Sequence, residues 1–346
     1  MENNVYTFQL SINWKLLSLI SSIDRFDATW TTIEQREGQT LKQLKSIATV
    51  KSVGASTRIE GSKMSNKEVE VLLENIDITK IEDRDSQEVI GYFKTLDLIS
   101  ESYNDIRISE NSIKNLHNIL MDYNEKDKWH KGNYKQHSNA VEATHPDGTK
   151  QIIFQTTESG YPTEDAMRNL IDWYANDNET HPLVKCAIFA YDFVSIHPFQ
   201  DGNGRLSRLI SSLLLLQTGY KWIQYVSFEH EIESRKDEYY RVLQNCQANR
   251  PNENVDEWIN FFFNSLKNIQ LKLSEKLKIQ GVETSLTPKE KSVVSFIGNY
   301  PGCKSGDIAK KLGIPSPTVK RILPKLIQLN LINKYGVGPG TNYTIK

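Results

Sequence analysis

Residues 197–208 read HPFQDGNGRLSR, and their types and order could do chemistry together. Gly202 and Gly204 lack a Cβ, so the backbone there can turn tightly and approach a ligand closely. Their N–H groups, with the free N–H groups that open the following helix, form a cradle for an anion. Arg205 and Arg208 are three apart, so both can lie on one helix face beside that cradle, and two guanidinium groups suit a polyphosphate. Asp201 is a hard oxygen ligand of the kind that holds Mg²⁺ against phosphates. His197, four residues ahead, can take a proton from an incoming hydroxyl at neutral pH. Singly, each feature has a plainer reading: a structural histidine, a turn, a solvated helix face. In this order over one short stretch they describe transfer from a nucleoside triphosphate to a hydroxyl.

Such a loop needs two helices to hold it, and the surrounding sequence supplies them. Apolar residues recur at helical spacing over 183–194 and 206–216, on either side of the loop, and also over 41–53, 69–73, 89–99, 113–120, 166–174 and 258–273. The chain therefore reads as mainly α through residue 280. One segment breaks the pattern: 141–157, VEATHPDGTKQIIFQTT, is two short extended pieces about His145-Pro146-Asp147-Gly148, a hairpin signal. From about residue 285 the character changes. Thr287 is a candidate N-cap with Pro288 at the first helical position. Helices over 289–299, 305–312 and 318–329 and strands over 332–335 and 341–345 follow, which is the winged-helix order.

Composition bounds the setting. The 346 residues, 38% hydrophobic and 25% charged, fit a globular protein with enough chain to bury a core. The net charge of −1 is unevenly spread: residues 287–346 carry +8 and the rest −9. Cys186, Cys246 and Cys303 show no CxxC spacing, which argues against a disulfide framework or a cysteine zinc site and suits a reducing cytoplasm. The expectation is a cytoplasmic protein without a signal peptide, since residues 1–10 lack a basic stretch followed by an apolar one. No membrane partner is expected, because the run 209–216 is too short to span a bilayer.

The stretch HPFQDGNGRLSR resembles the Fic family motif, HPFx(D/E)GNGRxxR, at every fixed position. The resemblance extends over roughly residues 10–270 and implies a Fic-type helical bundle. It divides the chain into an N-terminal helical region at 1–100, a catalytic domain at 101–280 and the winged-helix domain at 285–346. It implies Mg²⁺-dependent transfer of AMP from ATP to a Ser, Thr or Tyr hydroxyl of a protein, possibly the chain itself. On that basis His197 is the general base and Asp201 the Mg²⁺ ligand. Asn203 and the Gly202 and Gly204 backbone hold the α-phosphate, Arg205 contacts the phosphates and Arg208 the γ-phosphate. The 141–157 hairpin resembles the family's flap, which aligns the target by strand addition. Ile152, Ile153, Phe154 and Gln155 fall where flap residues touch the nucleotide. Tyr239 and Tyr240 resemble paired aromatics beside the base, with Gln247 where an Asn often sits. The stretch GNYK at 132–135 departs from the family's GxYR by carrying Lys135.

Upstream, STRIEG at 56–61 matches the family's inhibitory pattern (S/T)xxxE(G/N). Ser56 and Glu60 are four apart and share a helix face. The resemblance makes 45–61 an inhibitory helix whose Glu60 pairs with Arg208 and denies it to the γ-phosphate. It also implies a homodimer. Other readings stand beside this one. The same site could remove AMP or transfer another phosphate-containing group. Alternatively, the chain is a DNA-binding regulator whose Fic part senses, contacting DNA through the basic 287–346 segment.

Overall fold

The computed structural model of the chain describes residues 2–346 apart from 37, 77–80, 82, 124–127, 145–149, 285 and 330. The N-terminus forms an antiparallel hairpin, β1 (Glu2–Val5) and β2 (Phe8–Ser11). Helices α1 (Trp14–Arg36), α2 (Gly38–Ile59), α3 (Asn66–Glu74), α4 (Arg84–Ser102) and α5 (Glu110–Leu120) follow. A second hairpin, β3 (Ala140–Thr144) with β4 (Lys150–Gln155), leads to α6 (Tyr161–Asn176), α7 (Pro182–Ile196) and α8 (Asn203–Gln217). After a 3₁₀ turn at Lys221–Tyr225 come α9 (Phe228–Ser234), α10 (Lys236–Gln247) and α11 (Asp256–Thr284).

The β1–β2 hairpin is a difference from the sequence reading, which placed one extended segment in a helical context. Its strands are four residues long, too short to show a period reliably, yet Phe8 and Leu10 are buried while Gln9 is exposed. Gln9 bonds outward, giving its N–H to the Glu253 carbonyl and accepting from the Val255 N–H.

The most apolar helices lie innermost. Every residue of α7 from Leu183 onward except Lys185 is buried, as is α8 from Arg205 through Leu216. A helix buried on every side sits at the centre of a bundle, and its few polar groups must then find partners there. Each Leu, Ile or Phe buried there contributes about 1.5–3 kcal/mol relative to exposure. These two helices pack against each other, so the six residues joining them are pinned at both ends. Around them, α2 packs on α4, on α9 and on the 3₁₀ turn, and α4 packs on α5 and α8. Residues 1–100 and 101–271 are thereby part of one compact unit, because α2 and α4 complete the coat of the central helices, and 272–280 fall in the second unit.

Residues 272–346 form a second unit. It contains α12 (Pro288–Asn299), α13 (Ser305–Leu312), α14 (Ser316–Gln328) and a final antiparallel hairpin, β5 (Ile332–Tyr335) with β6 (Asn342–Ile345). Thr287 and Glu290 cap α12 reciprocally, so the helix begins where a capping box predicts. Val293, Ile297, Ile308, Val319, Leu323 and Leu326 build a core of its own. Among the described residues, no helix is long and apolar enough to cross a membrane.

Candidate active site

The loop between α7 and α8 is shaped by three local rules. Pro198 disfavours the helical conformation for the residue before it, so α7 ends at Ile196. His197 takes a left-handed conformation with φ 55°, rare for a residue with a Cβ. Gly202, at φ 79°, turns the chain into α8. The first helical bond of α8 runs from the Leu206 N–H to the Gly202 carbonyl. The N–H groups of Asn203, Gly204 and Arg205 precede it and are the free donors of a helix start.

His197 is half-buried. Its Nδ1 lies 3.3 Å from the Val194 carbonyl oxygen. A carbonyl only accepts, so Nδ1 carries the hydrogen and Nε2 carries the lone pair. Burial pushes the imidazole down to about 4; the Val194 bond opposes this and nearby Lys135 adds to it. His197 is therefore a neutral base at pH 7.

Asp201 accepts from its own loop at the Gly202 N–H, 2.6 Å away, and its other oxygen faces Arg205 at 3.3 Å and Arg84 at 3.4 Å. Burial would raise its carboxyl, but Arg205, the Gly202 N–H and Arg84 outweigh that and hold it below the usual carboxylate range. Arg205 is fully buried and sits between Asp201 and Glu88, the latter at 3.4 Å. In this arrangement it steadies the Asp201 carboxylate. The Asn203 side chain is also committed: it receives the Phe199 N–H and donates to the Phe199 carbonyl, both at 2.8 Å. What Asn203 leaves for a phosphate is its backbone N–H.

Arg208 is buried and meets the end of α2. Its Nε donates to Ser56 Oγ at 2.8 Å, and Nη2 donates to the Ser56 carbonyl at 3.0 Å and to Glu60 Oε1 at 2.7 Å. Burial works against the guanidinium charge, but Glu60 and the Tyr239 and Tyr92 hydroxyls more than restore it. Glu60 lies one residue beyond the helix, at the negative end of its dipole. Its carboxylate also covers the start of α8: a Cβ on Gly204 would sit 2.5 Å from Glu60 Oε1. The negative group thus lies against the first turn of α8.

A pocket opens beside these groups, lined by Glu60, His197, Gly204, Arg208 and, from α10, Tyr239, Tyr240, Leu243, Gln244 and Gln247. Phe154 of β4 reaches it, whereas Gln155, its neighbour on the opposite strand face, is exposed and does not. The Ile152 and Ile153 side chains lie outside the described residues, as does the hairpin tip at 145–149. Gln247 donates to Ser195 Oγ at 2.7 Å, while its buried Oε1 has no partner among the described residues.

Three contributors, His117, Leu243 and Gln244, escaped the sequence reading, and a fourth, Lys135, was singled out there only as a departure from a motif. His117 stacks on Phe199 with centroids 3.8 Å apart; it accepts the Gly132 N–H at Nδ1 and donates from Nε2 to the Asp201 carbonyl at 3.0 Å. Lys135, buried, donates to Asn139 Oδ1, Thr156 Oγ1 and the Ile196 carbonyl, tying the base of the β3–β4 hairpin to the end of α7. Burial lowers its ammonium to about 8, and three neutral oxygens replace the carboxylate that an arginine fork would match. Leu243 and Gln244 complete the pocket wall. Their spacing from Tyr239 and Tyr240 on one helix face was the only available signal.

The architecture is mainly helical with a hairpin beside the helix-flanked loop, a fold it shares with solved Fic-family structures. Residues 107–215 match the Fic/DOC family. The chain is similar to the protein adenylyltransferase fic-1 of Caenorhabditis elegans, 29% identical over 173 residues, which are 47% of this chain and 30% of that protein. It is also similar to the protein adenylyltransferase Fic of Drosophila willistoni, 26% identical over 207 residues, 58% of this chain and 38% of that one. The chain thus spans about a third of the length of these curated relatives. A crystal structure of a Fic family protein from Desulfovibrio desulfuricans G20 superposes with a TM-score of 0.63 at 23% identity, covering 97% of each chain.

Proposed function

We propose that this chain is a protein adenylyltransferase held in check by Glu60. The observation that carries the reading is the convergence of a neutral His197, the free N–H groups opening α8 and Arg208 on one pocket. A target hydroxyl oxygen attacks the α-phosphorus of ATP, and His197 Nε2 takes its proton. The bond from that phosphorus to the bridging oxygen breaks and pyrophosphate leaves. The α8 amides hold the phosphate charge, and Arg208 is the guanidinium for the terminal phosphate. Tyr239 and Tyr240 flank the base side, where the unpartnered Gln247 Oε1 can accept from a nucleobase N–H.

The donor set suits Mg²⁺. Among the described residues no cluster of three or more His, Cys, Asp or Glu could hold a metal alone. Asp201, with 39% of its side chain exposed, supplies one hard carboxylate, and Mg²⁺ is commonly held by one or two carboxylates plus substrate phosphates. Bound there, the metal would neutralise phosphate charge. The test is transfer of label from α-labelled ATP to protein, with and without Mg²⁺. Asp201→Ala should lower transfer by roughly 10-fold or more and raise the Mg²⁺ concentration needed. An unchanged metal titration would remove Asp201 from the site.

The pH dependence follows from His197. A base works deprotonated, so activity is lost as pH falls through its pKa, here about 4. Transfer should be flat from pH 8 down to about 5.5, where an ordinary histidine would already have lost most of its activity. A half-loss near pH 6.5 in kcat/KM would show that His197 is solvated or is not the base. His117 is likewise pushed down to about 4 by burial. The unfolded chain takes up protons at both histidines between about 6.5 and 4 that the fold refuses, so stability falls as pH drops through that window.

A further inference from the structure

We infer that the 272–346 unit is a winged helix that docks duplex DNA, with α14 in the major groove and a phosphate backbone running between α14 and the β5–β6 hairpin. The first argument is charge. Between residues 287 and 346 there are only two acidic side chains, Glu290 and Asp307, and both are occupied. Glu290 caps Thr287 and holds Lys325 at 2.9 Å; Asp307 accepts the Lys304 N–H at 2.9 Å. Exposed Lys310, Lys311, Lys320, Arg321 and Lys334 make no ion pair among the described residues. The result is a surface of one sign, which attracts a polyanion.

The second argument is shape. In α14, Val319, Ile322, Leu323 and Leu326 face the core of the unit. The opposite face carries Pro317, Lys320, Arg321, Pro324 and Gln328, all exposed at helical spacing. Pro324 does not end the helix, which continues to Gln328, so the earlier part of the face is an uninterrupted turn-by-turn surface. That face carries two cations and an amide beside two prolines and no large apolar side chain, unlike an apolar protein-docking stripe. Lys310 and Lys311 end the preceding helix, where the first helix of a helix-turn-helix crosses the backbone. An open groove of about 480 Å³ separates α14 from the hairpin, with Lys320 on one wall and Lys334 on the other. An extended acidic peptide in that groove would meet these two lysines and leave Arg321, Lys310 and Lys311 unmatched. A duplex presents phosphates on both rims of a major groove about 12 Å wide and so offers charge on both sides of the helix it receives.

The experiment uses the full chain without ATP, so its outcome is separate from the transferase reading. Fluorescence anisotropy with a labelled duplex of about 20 base pairs should show binding at about 50 mM salt. Each neutralised phosphate adds about 0.9 to the slope of log affinity on log salt, so roughly four contacts predict a loss on the order of 100-fold by 200 mM. Lys320→Glu with Arg321→Glu should weaken binding at least about 10-fold at low salt without lowering the melting temperature. If that variant misfolds, Lys320→Gln with Arg321→Gln should still weaken binding and flatten the salt slope. No binding at low salt, equal binding by the glutamine variant, or tighter binding of a labelled poly-glutamate peptide than of duplex would overturn the inference. The last result would make the surface a peptide-docking face.

Discussion

Glu60→Gly is expected to raise labelled-AMP transfer to the chain itself or to a lysate by one to three orders of magnitude. The carboxylate does two things at once. It pairs with Arg208 Nη2 at 2.7 Å, and it lies over the start of α8, so close that a Cβ on Gly204 would collide with it. Under the proposed function, an incoming triphosphate would meet a negative charge where its own charge must go, and the guanidinium proposed for its terminal phosphate is engaged. Two like charges about 4 Å apart repel by about 4 kcal/mol at an effective dielectric near 20. Glu60 is 33% exposed, so solvent screens part of that, and each ~1.4 kcal/mol remaining is tenfold in rate. Removing the carboxylate leaves Arg208 held by Ser56 and free toward the pocket. The double variant Glu60→Gly with Arg208→Ala should therefore lose the gain. Calorimetry should show ATP binding in wild type and in the single variant. A single variant no more active than wild type, with ATP bound, would reduce Glu60 to a helix-end residue.

The second large effect is loss of the base. In the Glu60→Gly background, replacing His197 should lower transfer by roughly 10²–10⁴-fold with ATP binding kept. The choice of replacement matters, because His197 sits at φ 55°. A residue with a Cβ pays up to about 1–2 kcal/mol of backbone strain there, histidine included, and asparagine tolerates the left-handed region better than alanine and has no basic nitrogen. His197→Asn should keep the wild-type melting temperature and still lose transfer, while His197→Ala loses transfer and some stability. Retained transfer by the asparagine variant would exclude His197 as the base.

The motif at 197–208 was legible because its geometry is made locally. A proline ends one helix, a glycine opens the next, and consecutive free N–H groups follow from any helix start. The four-residue spacing of Ser56 and Glu60 was legible in the same local way, whereas their meeting with Arg208 is a matter of packing. The Thr287 cap, the three following helices and the last hairpin were also local matters, and the element bounds agree with the expected ones to within a few residues. The short β1–β2 hairpin was not legible, since four residues show too little period and its partner bonds lie at Glu253 and Val255.

What residues 197–208 do for one another was settled only by packing. Spacing placed Arg205, and the family resemblance Asn203, toward a phosphate, yet Arg205 is buried between Asp201 and Glu88, and the Asn203 amide is spent on Phe199. His117 carries no motif of its own, because a buried histidine under a loop looks like any other in sequence, and the three neutral oxygens around Lys135 come from segments that only packing brings to it. Arg208 and Glu60 are 148 residues apart, and no local rule measures the gap between them. Local rules fix which groups a segment can offer. Which of those groups remain free for a ligand depends on the neighbours that desolvate them, since a buried polar atom must find a partner from whatever element packs against it.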